Sequence, residues 1–351
     1  MSTTVTVDPI VDPRWAALVA GPEGSLFSSP PWMAAVADTY GLTMRATLLL
    51  DDRGDPVGGL AYVDVDDLRG RRRVSLPFCD RVDPIAPDLA SWNELAGSVV
   101  AAGVPLTMRC LHAHLPVQDG RFTETGRAAW HGTDLSTSPD AVLARLHPVF
   151  RRNVRAAERS GIRVRIGSEL DDVRAFYALH RDLRKRKYHM LSQPFALFER
   201  VWKQFGDQDA IKVLLAEHDG RVVAGALYLV WNDVLYYKFG ASLAEHLGVR
   251  PNEAIAWRAM QYGHERGLRL LDWGLSDLAQ PGLVAYKTKM ATEQATITLL
   301  RHEPASGDAT NADRGREAGS LIDELVALFV RDDVPDEVTE HAGSLLYRYF
   351  C

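Results

Sequence analysis

The sequence predicts an α/β (α+β) protein of two tandem units, each a mostly antiparallel central sheet flanked by helices. Three observations carry that expectation. The chain has 351 residues, and domains of roughly 100 to 200 residues are usual, so two cores are expected. Residues 212–242, KVLLAEHDGRVVAGALYLVWNDVLYYKFGAS, read as three strands joined by an Asp-Gly and an Asn-Asp turn. A shortened form of the same grammar occupies the first third of the chain.

In that first third, SSPPWMAAVADTYG (28–41) is a helix. Ser28 or Ser29 caps it, prolines open it, Trp32, Ala35 and Val36 share a face, and Gly41 stops it. MRATLLLDDRGDPVGGLAYVDVDD reads as a hairpin, two β-rich runs around the turn sequence Asp52-Arg53-Gly54-Asp55-Pro56. RRRVSLPF is a further strand, SWNELAGSVVAAG a helix and PLTMRCL a strand. Residues 116–140 are polar and turn-rich, as a linker would be.

The second unit opens with the helix HPVFRRNVRAAERSG, stopped by Gly161, then the strand IRVRIG. DDVRAFYALHRDLRKRKY follows as a helix with Val173, Phe176, Tyr177 and Leu183 on one face. FALFERVWKQFG is a helix leading into the three strands, after which come the helix NEAIAWRAMQYGHERG and the strands LRLLDWG and ATITLLR. Residues 303–316 read as a polar loop, and SLIDELVALFV and PDEVTEHAGSLLYRYF as two closing helices that pack rather than react. The expected divisions are 1–140, 141–302 and 303–351.

The start, MSTTVTVDPIVDPRW, lacks the basic then apolar pattern of a signal peptide, and no run approaches ~18 apolar residues. Cys79, Cys110 and Cys351 are scattered without metal-ligand spacing, and a reduced, cytoplasmic compartment is expected. His112 and His114 lack a nearby carboxylate cluster, so no metal site is expected. The net charge of −6 excludes a globally basic nucleic-acid binder. Charge is nonetheless uneven: residues 145–187 hold 13 Arg and Lys against five Asp and Glu, a local +8 that leaves −14 elsewhere. Arg151, Arg155 and Arg159 fall four apart on one helical face, and Arg184, Lys185, Arg186 and Lys187 extend the positive segment. Such a stripe suits phosphates, and it is equally the pattern of a solvated basic face. Lysine is scarce, seven residues against 33 arginines, so Lys287 and Lys289 stand out just after the strand carrying Asp272.

The order of helices, antiparallel meander, helix and strand is that of the GNAT acyltransferase fold. SSPPW, GRRRVSLPF, FRRNVRAAERSGI, LYYKFGAS, LLDWG and the Tyr286-Lys287 pair, in this order, resemble the Fem family of aminoacyl transferases, with two GNAT-like domains, from about Trp15 to Leu300. The resemblance implies attack by an amine on an activated acyl carbonyl. In the best-known members the donor is an aminoacyl-tRNA and the acceptor a peptidoglycan precursor peptide. Relatives with a similar DWG…YK segment are CoA-dependent N-acyltransferases. The chain lacks the long charged heptads of the larger Fem proteins' helical arm, which argues against functions that need it.

Three functions therefore remain open. The first is an aminoacyl-tRNA-dependent, amide-forming transferase that acts on a peptide or small metabolite and needs no resident cofactor. The second is an acyl-CoA-dependent N-acyltransferase, and the third a GNAT-derived binding protein without turnover. The turn ASLAEHLGVRPNEA bears on the choice. CoA enzymes cradle pyrophosphate on glycine-rich backbone N–H groups, whereas here Gly248 and Arg250 precede Pro251, which removes a donor. A degenerate loop that still holds CoA is the alternative.

Lys287 is the residue the resemblance matches, a fixed cation for the oxyanion or for the terminal tRNA phosphate. Lys289 joins it on the same side if the segment is extended; a strand-edge pair guarding against aggregation is the alternative. Asp272 or Asp277 suits the proton of the attacking amine, although Asp277 serves equally as a turn cap. Tyr237 and Lys238 fall where the two central GNAT strands splay, and Tyr286 precedes the lysine. A tyrosine hydroxyl there is a proton donor or a packing group. Arg151, Arg152, Asn153, Arg155, Lys238, Lys289 and Trp32 complete the substrate- and donor-binding candidates. The carried amino acid, the acceptor and the oligomeric state stay open.

Overall fold

The computed structural model describes residues 3–305 and 309–351, and the side chains of all of these except 309–314. It divides into two compact units, unit 1 comprising Met1–Ala128, Thr296–Val326 and Arg348–Cys351, and unit 2 comprising Ala129–Ala295 and Ala327–Tyr347. Unit 1 runs β1 (Thr3–Val7), α1 (Pro13–Val19), α2 (Pro30–Tyr40), β2 (Met44–Leu50), β3 (Pro56–Asp67), β4 (Gly70–Val74), α3 (Leu89–Val100), β5 (Leu106–Cys110) and α4 (Leu115–Gln118). The chain crosses into unit 2 within β6 (Thr123–Asp134). There follow α5 (Pro139–Arg145), α6 (Pro148–Arg159), β7 (Arg163–Gly167), α7 (Leu170–Asp182), α8 (Phe195–Gly206), β8 (Ile211–His218), β9 (Arg221–Trp231) and β10 (Val234–Ser242). After these come α9 (Pro251–Glu265), β11 (Leu270–Asp277) and α10 (Pro281–Thr288). The chain returns to unit 1 within β12 (Glu293–His302); α11 (Ala309–Phe329) belongs mostly to unit 1, and α12 (Asp336–Leu346) to unit 2.

The two units share one topology. Unit 1 orders its strands β1-β2-β3-β4-β5-β12, unit 2 β7-β8-β9-β10-β11-β6. Each has three antiparallel pairings followed by one parallel pairing, β4 with β5 and β10 with β11. The first third supplies five of the six strands of its copy, and the sixth, β12, comes from far along the chain. Its first strand, TTVTV, lacks the large apolar residues that make a strand conspicuous. Residues 116–140 are not simply a linker: Thr123–Asp134 form β6, a strand of the sheet.

Local chemistry accounts for the turns that set this register. Ser29 Oγ accepts the Trp32 N–H at 3.4 Å to start α2, and Gly41 at φ +65° ends it. The β8–β9 hairpin turns on Asp219 and Gly220, both at positive φ, the arrangement a tight two-residue turn needs. Every residue from Ile211 to Ala216 is buried, as in a strand covered on both faces. On one face, Ile255, Ala256, Ala259 and Met260 of α9 pack on Leu214, Ala224, Ala226 and Tyr228. Gly225 points the other way, where a Cβ would come within 3.1 Å of the Phe176 ring of α7.

The run Arg184 to Lys187 is not an open extension of the basic stripe. It forms a π turn after α7. Lys185, 2 % exposed, donates to Val334 O and to Asp336 Oδ1 at 2.8 Å. Arg186 pairs with Asp182 and Asp336, and Arg184 donates to Leu191 O. These side chains anchor α12, in keeping with a packing role for the closing helices. Of the expected loop at 303–316, residues 306–308 lie outside the described residues, and α11 begins at Ala309.

Candidate active site

The parallel register of β10 and β11 runs over three pairs, Val234–Leu270, Leu235–Leu271 and Tyr236–Asp272. A bulge between Tyr237 and Phe239 then turns β10 aside. A cavity of about 40 Å³ opens beside the divergence, lined by Tyr228 of β9, Tyr237 and Gly240 of β10, Trp273 of β11, Asn252 of α9, and Tyr286 and Lys287 of α10. The expected splay at Tyr237 is present, and it brings Tyr237, Tyr286 and Lys287 to one wall.

Lys287 lies on a helix, not an extended segment. It is 5 % exposed, and its Nζ donates to Leu275 O at 3.0 Å and Gly274 O at 3.5 Å. Two positions on, Lys289 caps α10 on a different helical face and is half-buried, so the two ammonium groups do not share a side. Its carbonyl accepts from His147 N. Asp272 is buried, and its Oδ1 accepts from Trp130 Nε1 at 2.8 Å and from Gly274 N at 2.7 Å, which fixes the turn at Gly274, φ +70°. Asp277 is exposed and caps its own turn by accepting from Ala279 N.

The phenols are held un-ionised. Burial pushes Tyr237 up to about 12 and raises Tyr228 and Tyr286 well above the ordinary tyrosine value. The neighbouring tyrosines add to this for Tyr228, and the Glu253 carboxylate for Tyr286. All three remain proton donors at neutral pH.

His131 on β6 went unread because its strand looked like a linker. Thr288 Oγ1 gives its one proton to Val284 O at 2.9 Å, so His131 Nε2, 3.1 Å away, is the donor to Thr288. Nδ1 is then an unprotonated, buried nitrogen without a hydrogen-bond partner among the described residues. Burial and the charge of Lys287 keep this imidazole below the usual histidine value, hence neutral.

The basic stripe is real on α6 alone. Arg151, Arg152, Arg155 and Arg159 line a shallow groove of about 410 Å³ with Pro148. None of the four guanidinium groups has an acidic partner among the described residues. Asn153 faces inward instead, donating to Glu253 Oε1 at 2.9 Å and tying α6 to α9. Glu253 occupies the first turn of α9, behind Arg250 at φ +63° and Pro251. An anion approaching this helix start meets a carboxylate and one fewer N–H, which opposes a pyrophosphate. Lys238 is half-buried on β10. Trp32, 1 % exposed, fills the core of unit 1 against Phe27 and lines no part of the cavity. No cluster of metal-ligating side chains exists among the described residues, and no described helix is long and apolar enough to cross a membrane.

Residues 145–288 match the family model described as an acetyltransferase (GNAT) domain. Among solved structures, FemX aligns with a TM-score of 0.62 at 14 % identity, over 84 % of this chain and 96 % of that one. A tandem GNAT protein from the clavulanic acid biosynthesis pathway aligns at 0.53 and 15 % identity, over 88 % and 100 %. The C-terminal domain of a putative lysylphosphatidylglycerol synthetase from Agrobacterium fabrum aligns at 0.53 and 15 % identity, over 83 % and 92 %. No curated protein matches the sequence. Residues 145–288 are thus similar to an acetyltransferase (GNAT) domain, and the fold of the chain is similar to that of FemX.

Proposed function

We propose that the protein is an amide-forming transferase that moves an aminoacyl group from aminoacyl-tRNA to an amine of a peptide, peptidoglycan precursor or small metabolite, with the unit 2 cavity as its reaction site. One observation carries the proposal: Lys287 is a buried cation fixed by two carbonyls on the wall of a cavity whose other acidic protons sit on neutral phenols. In this reading the acceptor amine attacks the ester carbonyl, and Lys287 offsets the negative charge gathering on its oxygen. The tetrahedral intermediate collapses by breaking the C–O bond to the ribose. A phenol, Tyr286 or Tyr237, gives its proton to that leaving oxygen and regains one from the newly bonded nitrogen, so no proton is consumed. The α6 arginines take tRNA phosphates.

A second reading, transfer from an acyl-CoA, is favoured by the acetyltransferase (GNAT) description of the domain at 145–288 and opposed by the Glu253 carboxylate at the start of α9. The test offers total charged tRNA and a panel of acyl-CoAs in parallel, with mixed amine acceptors, ribonuclease controls and mass-spectrometric detection. Ribonuclease-sensitive product is expected, its mass naming the amino acid. Product from acyl-CoA alone overturns the tRNA reading in favour of the second.

A further inference from the structure

We infer that the cavity beside the β10–β11 divergence is a seat for a small primary ammonium group. This deepens the proposed function, since both partners of aminoacyl transfer carry such a group: the donor as its α-ammonium, the acceptor as the amine before it loses its proton.

The walls are aromatic on several sides. Tyr228 and Tyr237 stand 5.6 Å apart at 65°, Tyr237 and Trp273 5.6 Å apart at 52°, and Tyr286 lies in the same packed cluster. These aromatic residues line the cavity, and a cation within about 6 Å of a ring face is attracted by its quadrupole. The polar groups match a donor-rich ligand. The Tyr228 hydroxyl is buried and has no hydrogen-bond partner among the described residues, which leaves its oxygen lone pairs for an N–H. Asn252 spends its Nδ2 on Ser242 Oγ at 3.2 Å, so its carbonyl oxygen is the acceptor left over. The one cation on the wall, Lys287, has its ammonium on the Gly274 and Leu275 carbonyls. Beyond the wall, the Glu253 carboxylate adds a negative field felt at Tyr286. No guanidinium is among the lining groups. Its volume, about 40 Å³, holds roughly two or three water-sized groups, enough for an aminomethyl group and too little for a phosphate.

The test reads binding without turnover, so it is independent of which donor the enzyme uses. Protein labelled with ¹³C at tyrosine Cζ is titrated at about pH 6.5, below the α-amino pKa, and Tyr228→Phe identifies the Tyr228 resonance. Glycine methyl ester and methylammonium are compared with their neutral isosteres, methyl glycolate and methanol. The expected result is a shift of the Tyr228 resonance by the ammonium probes, with affinity roughly tenfold above that of the isosteres. Removing a wall ring in Tyr237→Leu should weaken this preference. Preference for glycine methyl ester over methylammonium assigns the seat to the donor's α-ammonium, and the reverse to the acceptor amine. Equal shifts by charged and neutral probes, or none by any, overturn the inference. A chain that passes here yet yields no product from charged tRNA refutes the tRNA reading and not the ammonium seat.

Discussion

Lys287 and His180 are both buried titratable groups in unit 2, and their surroundings assign them opposite work. Lys287 keeps its donors on two carbonyls at a cavity wall, so Lys287→Met removes charge from the proposed reaction site. Loss of one such electrostatic contact lowers kcat by about 10²–10³-fold; steady-state kinetics on a variant with native circular dichroism checks this. An unchanged kcat removes Lys287 from the chemistry. His180, 5 % exposed among Phe176, Phe198 and Phe239, donates through Nε2 to Gln193 Oε1. Burial holds it down to about 4. The folded state therefore binds fewer protons than the unfolded one between that value and the ordinary histidine value. The stability so gained is present above about pH 6.5 and is lost as pH falls toward about 4, at up to roughly 1.4 kcal/mol per pH unit. Urea titrations over this window should show the slope, and His180→Phe should flatten it. The sequence exposed Lys287 because lysine is rare. His131 and Tyr228 gave no such signal, being a lone histidine on an unrecognised strand and one aromatic among several in a buried β run.

Among the elements, α6 and the π turn after α7 carry similar charge and different structure. Residue counting assigned both to one polyanion surface. Acidic partners brought from far along the chain decide the matter: Asp336 and Glu340 of α12 hold Arg181, Lys185 and Arg186, while the α6 arginines face none. Periodicity alone cannot separate these cases, because pairing depends on tertiary contacts some 150 residues away in sequence. The same limit explains Lys289, whose place beside Lys287 was right in an extended chain and wrong on a helix opened by Pro281. The expected consequence is a difference in salt dependence. If Arg155 and Arg159 each neutralise one phosphate, the double substitution to glutamine lowers the log–log salt slope of tRNA binding by about 2. Arg186→Gln should leave that slope unchanged. Filter binding at several salt concentrations measures both, and equal slopes for the two variants and the parent protein refute the assignment of α6.

Across the whole molecule, one topology occurs twice and only one copy of its parallel pair carries the cavity described here. In unit 1 the register of β4 and β5 covers Arg73–Leu106 and Val74–Thr107. Residues 75–85 then fill the space that the equivalent strands of unit 2 leave open. Ser75 N donates to Thr107 O at 2.8 Å, Val82 bridges to Arg109, and Arg109 donates to Cys79 O at 2.6 Å. Leu76 and Phe78 take φ of +56° and +58° to follow this path, a strain of order 1 kcal/mol or more for each non-glycine residue that these hydrogen bonds offset. The division of labour follows from that contrast. Arg109→Ala strips a bond from the filled copy and should lower unfolding free energy by about 1–3 kcal/mol while kcat per folded molecule stays the same. Gly240→Ala should act on the cavity instead: its Cβ would collide with the Tyr237 hydroxyl, so the ring must swing off the cavity wall. The kcat per folded molecule should then fall at least tenfold, with a loss of about 1–3 kcal/mol of stability because the displaced ring is packed on Tyr228 and Trp273. Chemical denaturation and steady-state kinetics on the two variants form one comparison. If Arg109→Ala instead abolishes turnover in a stably folded chain, the reacting groups are not confined to the unit 2 cavity.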